Sequence, residues 1–366
     1  MMSTTFKDKN GSEKMEGKLQ GLTIADVAQE VGCSIATASR VLSASNYPVS
    51  ADMRTRILKA ASLLGYADNL KQRMLVNSQN PYLGIIVPTF QNRSYLHSVS
   101  GVELAAKSEG YTAFVLNSQR NPELERQHIS SLINKKIGIL MLMSVDDSPD
   151  ALHHYLDMGG SACVLESNFP DHPDVLNAKV DRFEAGRIAT EHLLAQGHKA
   201  IAFVCSPLRH YQTRRLTLDG CRFAIERNAL PFSAENIFTV DEESDSETGL
   251  YEFETGVAIA EKVFKHPRQY TGVVCLNDMI ALGLISGLKA AGAQVPQNIS
   301  VVGIDDISSN QLPDSRLTTV NTHLKALAQR AVQRVIQISD DSDSVVHSPL
   351  TMKPELEFGE TVRRIG

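Results

Sequence analysis

The sequence predicts a two-part chain: an all-α headpiece of helix-turn-helix type, followed by an α/β bilobal body of two doubly wound, Rossmann-like subdomains. Three observations carry this. Residues 23–43 read as two short helices joined by a glycine turn. From Pro81 onward, short β-rich apolar runs alternate with helical stretches. The alternation restarts near residue 184, so the same β-α unit occurs in two blocks.

In the headpiece, TIADVAQEVGCSIATASRVLS, Thr23 caps the first helix and Asp26 stands at the reciprocal capping position. Ile24, Val27, Ala28 and Val31 recur at helical spacing as one apolar stripe. Gly32 ends the helix where positive φ is easiest, and Ser34 caps the next. Small Ala28 lets the helices approach, while Ala38 and Val41 anchor the second to the first. The outward face then carries Ile35, Ala36, Thr37, Ser39 and Arg40, groove-sized groups with one long guanidinium. A third capped helix spans 50–64 and ends at Gly65. Residues 67–76, ADNLKQRMLV, have helical propensity but are too short to be stable alone, and polar NSQNP follows.

The body predicts strand 83–87, helix 94–109, strand 112–116, helix 122–134, strand 137–143, a helix near 149–158 and strand 162–165. The second block predicts helix 184–196, strand 200–205, helix 215–227, strand 237–240, helix 249–264, strand 273–276, helix 279–291 and strand 300–304. Apolar strands spaced by helices imply buried parallel sheets with right-handed crossovers. The run at 317–320 begins a return to the first block, and an acidic loop follows at 340–344. The expected division is a disordered tail at 1–20, headpiece at 21–66, hinge and linker at 67–80, and body at 81–366, its lobes split near 180 and 310–322.

Composition narrows the function. The chain has 366 residues and a formal charge of −6, enough length for one to three domains. Residues 1–80 hold 10 Lys and Arg against 7 Asp and Glu, whereas the remainder holds 26 against 35. A mildly basic head on an acidic body confines phosphate contact to one end. The five cysteines are far apart, with no metal-ligand spacing, and read as buried reduced thiols. The N-terminal segment lacks an apolar signal region, and no apolar run approaches a membrane span, so a cytoplasmic protein is expected.

No catalytic constellation is present: no GxGxxG, P-loop, GxSxG or HExxH, and no catalytic residue, metal or cofactor is assigned. The scattered histidines, including His198 after a helix end, read as structural. Polar residues that follow strands behave differently, because doubly wound folds bind ligands at strand carboxyl ends. Glu166 in VLES, Asn277 in CLND and Asp305 in GIDD stand there, while Asp278 and Asp306 read as helix N-caps.

SIATASRVLS, followed by VSADMRTRILKAASLLGY, resembles the DNA-binding headpiece of the lactose-repressor/galactose-repressor (LacI-type) family, and the resemblance runs to about Thr322. It implies a periplasmic-binding-protein-like body and a ligand-controlled transcriptional repressor acting on double-stranded operator DNA as a homodimer. DNA contacts fall on Thr23, Ser34, Ile35, Ala36, Thr37, Ser39 and Arg40. The 67–76 segment becomes a minor-groove hinge, with Asn69 near the backbone, Lys71 and Arg73 on phosphates and Leu75 as the wedge. Effector contacts, for a sugar or sugar derivative, fall on Tyr95, Asn117, Glu166, Asn277 and Asp305. The chain departs from the family at Asp68, where proline is usual, and at Thr217, where arginine is usual, so Arg215 or neighbouring Arg214 takes that role. The rival readings are a cytosolic solute sensor without specific DNA binding, which the headpiece disfavours, and an enzyme, which the missing constellation disfavours.

Overall fold

The computed structural model describes residues 24–42, 49–64, 80–167, 169–170, 172–208, 212–240, 250–267, 269–307, 316–340 and 348–365. The expected tail, Thr23, and the hinge residues Asn69, Lys71, Arg73 and Leu75 lie outside the described residues. The chain divides into two compact units, one of Met1–Ser78 with Asp157–Gly159 and one of the remaining residues.

The headpiece holds helices α1 (Ile24–Val31), α2 (Ile35–Leu42) and α3 (Ala51–Leu63). Gly32, at φ 71°, makes the turn. Its N–H donates to the Gln29 carbonyl and the Cys33 N–H to the Ala28 carbonyl, the paired bonds of a Schellman close. Ser34 then accepts from the Thr37 N–H at 3.1 Å, and Ser50 from the Met53 N–H at 3.3 Å, capping α2 and α3. Val27, Val31, Val41, Ile57, Ala60 and Ala61 form the shared core. Arg56 adds a tie that the apolar pattern does not reveal, donating from Nη2 to the Val31 carbonyl at 2.9 Å, where a helix C-terminus favours a cation.

The body contains two sheets. In the first lobe the strands are β1 (Tyr82–Val87), β2 (Thr112–Asn117), β3 (Ile139–Leu142), β4 (Ser161–Leu165), β5 (Val175–Val180) and β11 (Leu350–Met352), in order β11-β5-β4-β3-β1-β2 and parallel throughout. Its helices are α4 (Arg93–Ser108), α5 (Pro122–Asn134), α6 (Asp150–Asp157) and α11 (Leu324–Asp340). Leu83, Ile85 and Val87 pack with Val102 of α4 and with Leu327 and Val332 of α11. Gly84, on the alternate face, leaves room for Leu132 of α5.

The second lobe has β6 (Ile201–Cys205), β7 (Ile237–Thr239), β8 (Gly272–Cys275), β9 (Ser300–Ile304), β10 (Thr318–Asn321) and β12 (Glu355–Glu357), in order β12-β10-β9-β8-β6-β7. Only β12 runs antiparallel to its neighbour. Helices α7 (Arg182–Ala195), α8 (Gln212–Arg227), α9 (Tyr251–Phe264) and α10 (Asp278–Ala290) surround this sheet. Two helix pairs touch backbone to backbone: a Cβ at Gly220 would overlap the Phe183 carbonyl, and one at Gly283 the Phe253 carbonyl.

Among the described residues, β5, α11, β11, β12 and a 3-10 turn at Ala234–Asn236 are additions to the sequence-based prediction. In β5, VLNAKV, Asn177 and Lys179 interrupt the apolar run. Asn177 is nonetheless buried, because its amide exchanges two hydrogen bonds with the Phe169 backbone. The chain also passes between lobes a third time, from β11 to β12, beyond the two passages expected near 180 and 310–322.

Cys163, Cys205, Cys221 and Cys275 are buried free thiols, and burial pushes Cys205 and Cys221 up to about 12, where a thiol is inert.

Candidate nucleic-acid interface and effector cleft

On α2 the inner residues Ala38 and Val41 are buried at 0% and 3% exposure. The outer row is open: Ile35 is 58% exposed, Ser34, Ala36 and Arg40 are exposed, and Thr37 and Ser39 are half-buried. The Ser34 and Thr37 hydroxyls lie 2.7 Å apart and hold one another in place. Such a face offers methyl groups for apolar contact with thymine, hydroxyls of either hydrogen-bonding sense, and one guanidinium. Of the expected contacts on α2, Ile35, Ala36 and Arg40 are open to solvent and Thr37 and Ser39 are partly so.

In the body, strand carboxyl ends converge on a cleft between the two lobes with a volume of about 100 Å³. Tyr95, Glu166, Asn277 and Asp305 line it, the last three at strand ends and Tyr95 on α4. Two expected residues do not. Asn117 is the last residue of edge strand β2 and uses its side-chain oxygen to accept from the Gln119 N–H at 2.9 Å. Arg215 is exposed and donates from Nε to the Leu208 carbonyl at 3.2 Å. Its neighbour Arg214 turns inward instead, lining the cleft at 8% exposure with Nη1 2.6 Å from the Pro207 carbonyl. Thr217 also faces the cleft, its hydroxyl donating to the Thr213 carbonyl.

The capping assignments also change. Asn277, rather than Asp278, caps α10, accepting from the Ile280 N–H at 2.9 Å. Asp278 is buried and accepts from the Thr319 hydroxyl at 2.5 Å and the Ile307 N–H at 2.9 Å. Burial pushes its carboxyl well above the usual carboxylate range, and those two donors offset only part of the effect. Asp306 accepts from the Asn321 amide at 3.0 Å, and residues 308–315, which it is expected to cap, lie outside the described residues.

Several cleft residues carried no signal in the sequence pattern. Arg182 is the main one, placed at the start of α7 where the periodicity predicted only a link. Its Nε lies 2.6 Å from Glu166 Oε2, and its Nη1 lies 2.9 Å from Asp305 Oδ1. Asn92 caps α4 and donates from Nδ2 to Glu252 Oε1 at 2.7 Å, joining the first lobe to α9 of the second. Ser94 donates its hydroxyl to Asp305 Oδ2, a second bond between lobes. Glu166 and Asp305 both adopt positive φ, 58° and 108°, conformations that cost on the order of 1–3 kcal/mol for a residue with a side chain.

Among the described residues, no cluster of three or more His, Cys, Asp or Glu is arranged to hold a metal, and no helix is long and apolar enough to cross a membrane.

Comparison with known proteins gives both halves a counterpart. Residues 23–69 match the model of bacterial regulatory proteins of the lacI family, and residues 190–362 match the periplasmic binding protein-like domain. The chain is 28% identical over 346 residues to the HTH-type transcriptional repressor PurR of Haemophilus influenzae (strain PittEE), covering 94% of this chain and 99% of the relative. It is 27% identical over 344 residues to the PurR of Pasteurella multocida (strain Pm70), covering 93% and 98%. Similar solved structures include the lac repressor dimer bound to operator and the anti-inducer ONPF, with TM-score 0.64, 24% identity, and coverage of 94% and 100%. A complex of the transcriptional regulator CelR with cellobiose gives TM-score 0.65, 22% identity, and coverage of 93% and 100%.

Proposed function

This chain belongs to the lacI family of bacterial regulatory proteins, and from that premise we propose that it is a dimeric repressor reading its operator with α2 and its effector with the cleft of the body. The observation that carries this reading is the open row Ser34, Ile35, Ala36, Thr37, Ser39 and Arg40 on a helix whose other side is core. Laid in a major groove, Ile35 and Ala36 meet base edges, and Thr37, Ser39 and Arg40 supply polar contacts. Thr23, Asn69, Lys71 and Arg73 contact the backbone, and Leu75 wedges the central step from the minor groove.

The protein is a regulator rather than an enzyme. Its effector is a small polar molecule that meets Tyr95, Glu166, Asn277, Asp305 and Arg214 in the cleft; the resemblance implies a sugar derivative. Binding acts on DNA through differential affinity for two arrangements of the lobes. The place of action is the cytoplasm, where operator DNA lies.

The test is selection of bound duplexes from a random library, followed by gel retardation in rising salt. A recovered consensus whose retention weakens steeply with salt is the expected result. Retention independent of sequence at every salt concentration would remove the repressor reading. A thermal-shift screen of sugars, sugar acids, sugar phosphates and nucleosides then identifies the effector class.

A further inference from the structure

The cleft between the lobes already holds a cation, and that cation belongs to the chain. The Arg182 guanidinium directs Nε and Nη2 to Glu166 Oε2 at 2.6 and 2.5 Å, and Nη1 to Asp305 Oδ1 at 2.9 Å. Glu166 follows β4 in the first lobe and Asp305 follows β9 in the second, so one side chain joins both. The three side chains are only 13%, 11% and 5% exposed, respectively.

The remaining acceptor capacity of the two carboxylates is also in use. Glu166 Oε1 takes the Val180 N–H at 2.6 Å. Asp305 Oδ2 takes the Ser94 hydroxyl, and Oδ1 also takes the Thr322 hydroxyl at 3.3 Å. The space left, about 100 Å³, is small beside the roughly 300–1,000 Å³ of ordinary ligand sites. Burial alone would lower the basicity of Arg182, but the two carboxylates outweigh it and hold the group charged.

We propose that Arg182 is the internal occupant and selectivity determinant of the cleft: it fills the position between Glu166 and Asp305, which accepts a cationic head and refuses a neutral group of the same shape. A neutral polyol taking both acceptors would hydrogen-bond the two carboxylates but leave them, and the displaced Arg182, without a counter-charge, whereas a ligand guanidinium, amidine or ammonium restores the charge it displaces. Effector selection by this position rests on the reading of the cleft given above; the bridge itself does not.

The experiment removes the occupant and returns it in pieces. Arg182→Ala protein, checked for fold by circular dichroism, is melted with increasing millimolar methylguanidinium or with N-methylurea, its neutral counterpart. The expected result is a saturable rise in Tm of a few degrees with methylguanidinium only, absent from the wild type and lost in Arg182→Ala/Asp305→Asn. Equal response to both compounds, no response to either, or the same response in the wild type overturns the proposal. Should Arg182→Ala fail to fold, Arg182→Gln, which keeps hydrogen-bonding groups but drops the charge, is assayed in the same way with the same deciding results. The assay contains neither DNA nor effector, so its failure leaves operator reading intact, and loss of operator reading leaves the bridge intact.

Discussion

Arg40 is the one long side chain on the outer face of α2, and it stands on the solvent side of a helix anchored by Ala38 and Val41. Replacing it with alanine removes a guanidinium without touching the headpiece core. Arg40→Ala should lower specific operator affinity by roughly ten- to a hundredfold, the range of about 1–3 kcal/mol for a good base contact, with cooperative unfolding retained. Fluorescence anisotropy on the selected duplex measures the first and a thermal melt the second; full retention of specific affinity would take Arg40 out of the interface. At this scale legibility was uneven. Residues on α2 follow a helical period, so their outward direction can be read from the string. Strand-end Glu166, Asn277 and Asp305 were legible because doubly wound sheets bring such ends together. Arg182 was not, because its partners follow β4 and β9, 16 and 123 residues away, and no local period points a helix-start arginine at either. Arg214 and Arg215 are neighbours about 100° apart on one helix, so a shift of one residue decides which enters the cleft.

The elements of the second lobe rest on contacts that leave no slack. Gly186 and Gly220 let α7 and α8 meet through their backbones, and a Cβ at Gly220 would overlap the Phe183 carbonyl. Gly220→Ala should therefore destabilise by about 1–3 kcal/mol or more, seen as a lower urea midpoint at unchanged slope. A midpoint equal to wild type would show that the helices separate freely. The end of the chain is tied down through His198, with Nε2 3.1 Å from the Arg363 carbonyl and Nδ1 3.1 Å from the Thr271 hydroxyl. That pair of contacts suits a neutral ring that donates at Nε2 and accepts at Nδ1. Burial lowers its basicity, outweighing the raising effect of the Arg363 carbonyl, and burial lowers His192 as well. Below the ordinary imidazole value of about 6.5 the unfolded chain then binds more protons than the folded one. Stability should fall as pH drops through that value and level off below the folded-state values. His198→Gln should weaken this dependence while lowering stability near neutral pH by about 1 kcal/mol, measured by urea melts at several pH values. The strands and helices here were legible from their alternating apolar runs. Helix α11 shows a clear stripe, Leu324, Leu327, Ala328, Ala331, Val332 and Val335, yet it follows β10 of the second lobe and packs in the first. The return to the first block was legible at 317–320, but the helix that completes it was not, because no expected strand follows it in the alternation.

At the scale of the whole molecule, the proposed repressor needs two copies, because one headpiece covers only half of a two-fold operator. The first lobe offers a surface for that pairing. Tyr82 of β1, Leu96 and Leu104 of α4, and Phe114 of β2 are exposed apolar side chains on consecutive elements, and β2 is the edge of its sheet. Tyr82 and Phe114 also contact one another at a tilted angle, with ring centroids 4.9 Å apart, an aromatic pair at that edge of the sheet. Leu104 is 49% exposed, and a carboxylate there would be hydrated in a free chain but desolvated in a pair. Leu104→Glu should thus leave the Tm of the isolated chain near its original value and shift the mass in sedimentation equilibrium toward monomer. The same variant should lose much of its affinity for the full operator and show a shallower salt dependence, because each binding event then neutralises fewer phosphates. Its affinity for a half-site should match that of the wild type at equal chain concentration, since the α2 surface is untouched. A variant that stays dimeric would move the pairing surface elsewhere, and a monomer with undiminished operator affinity would mean that a single headpiece suffices.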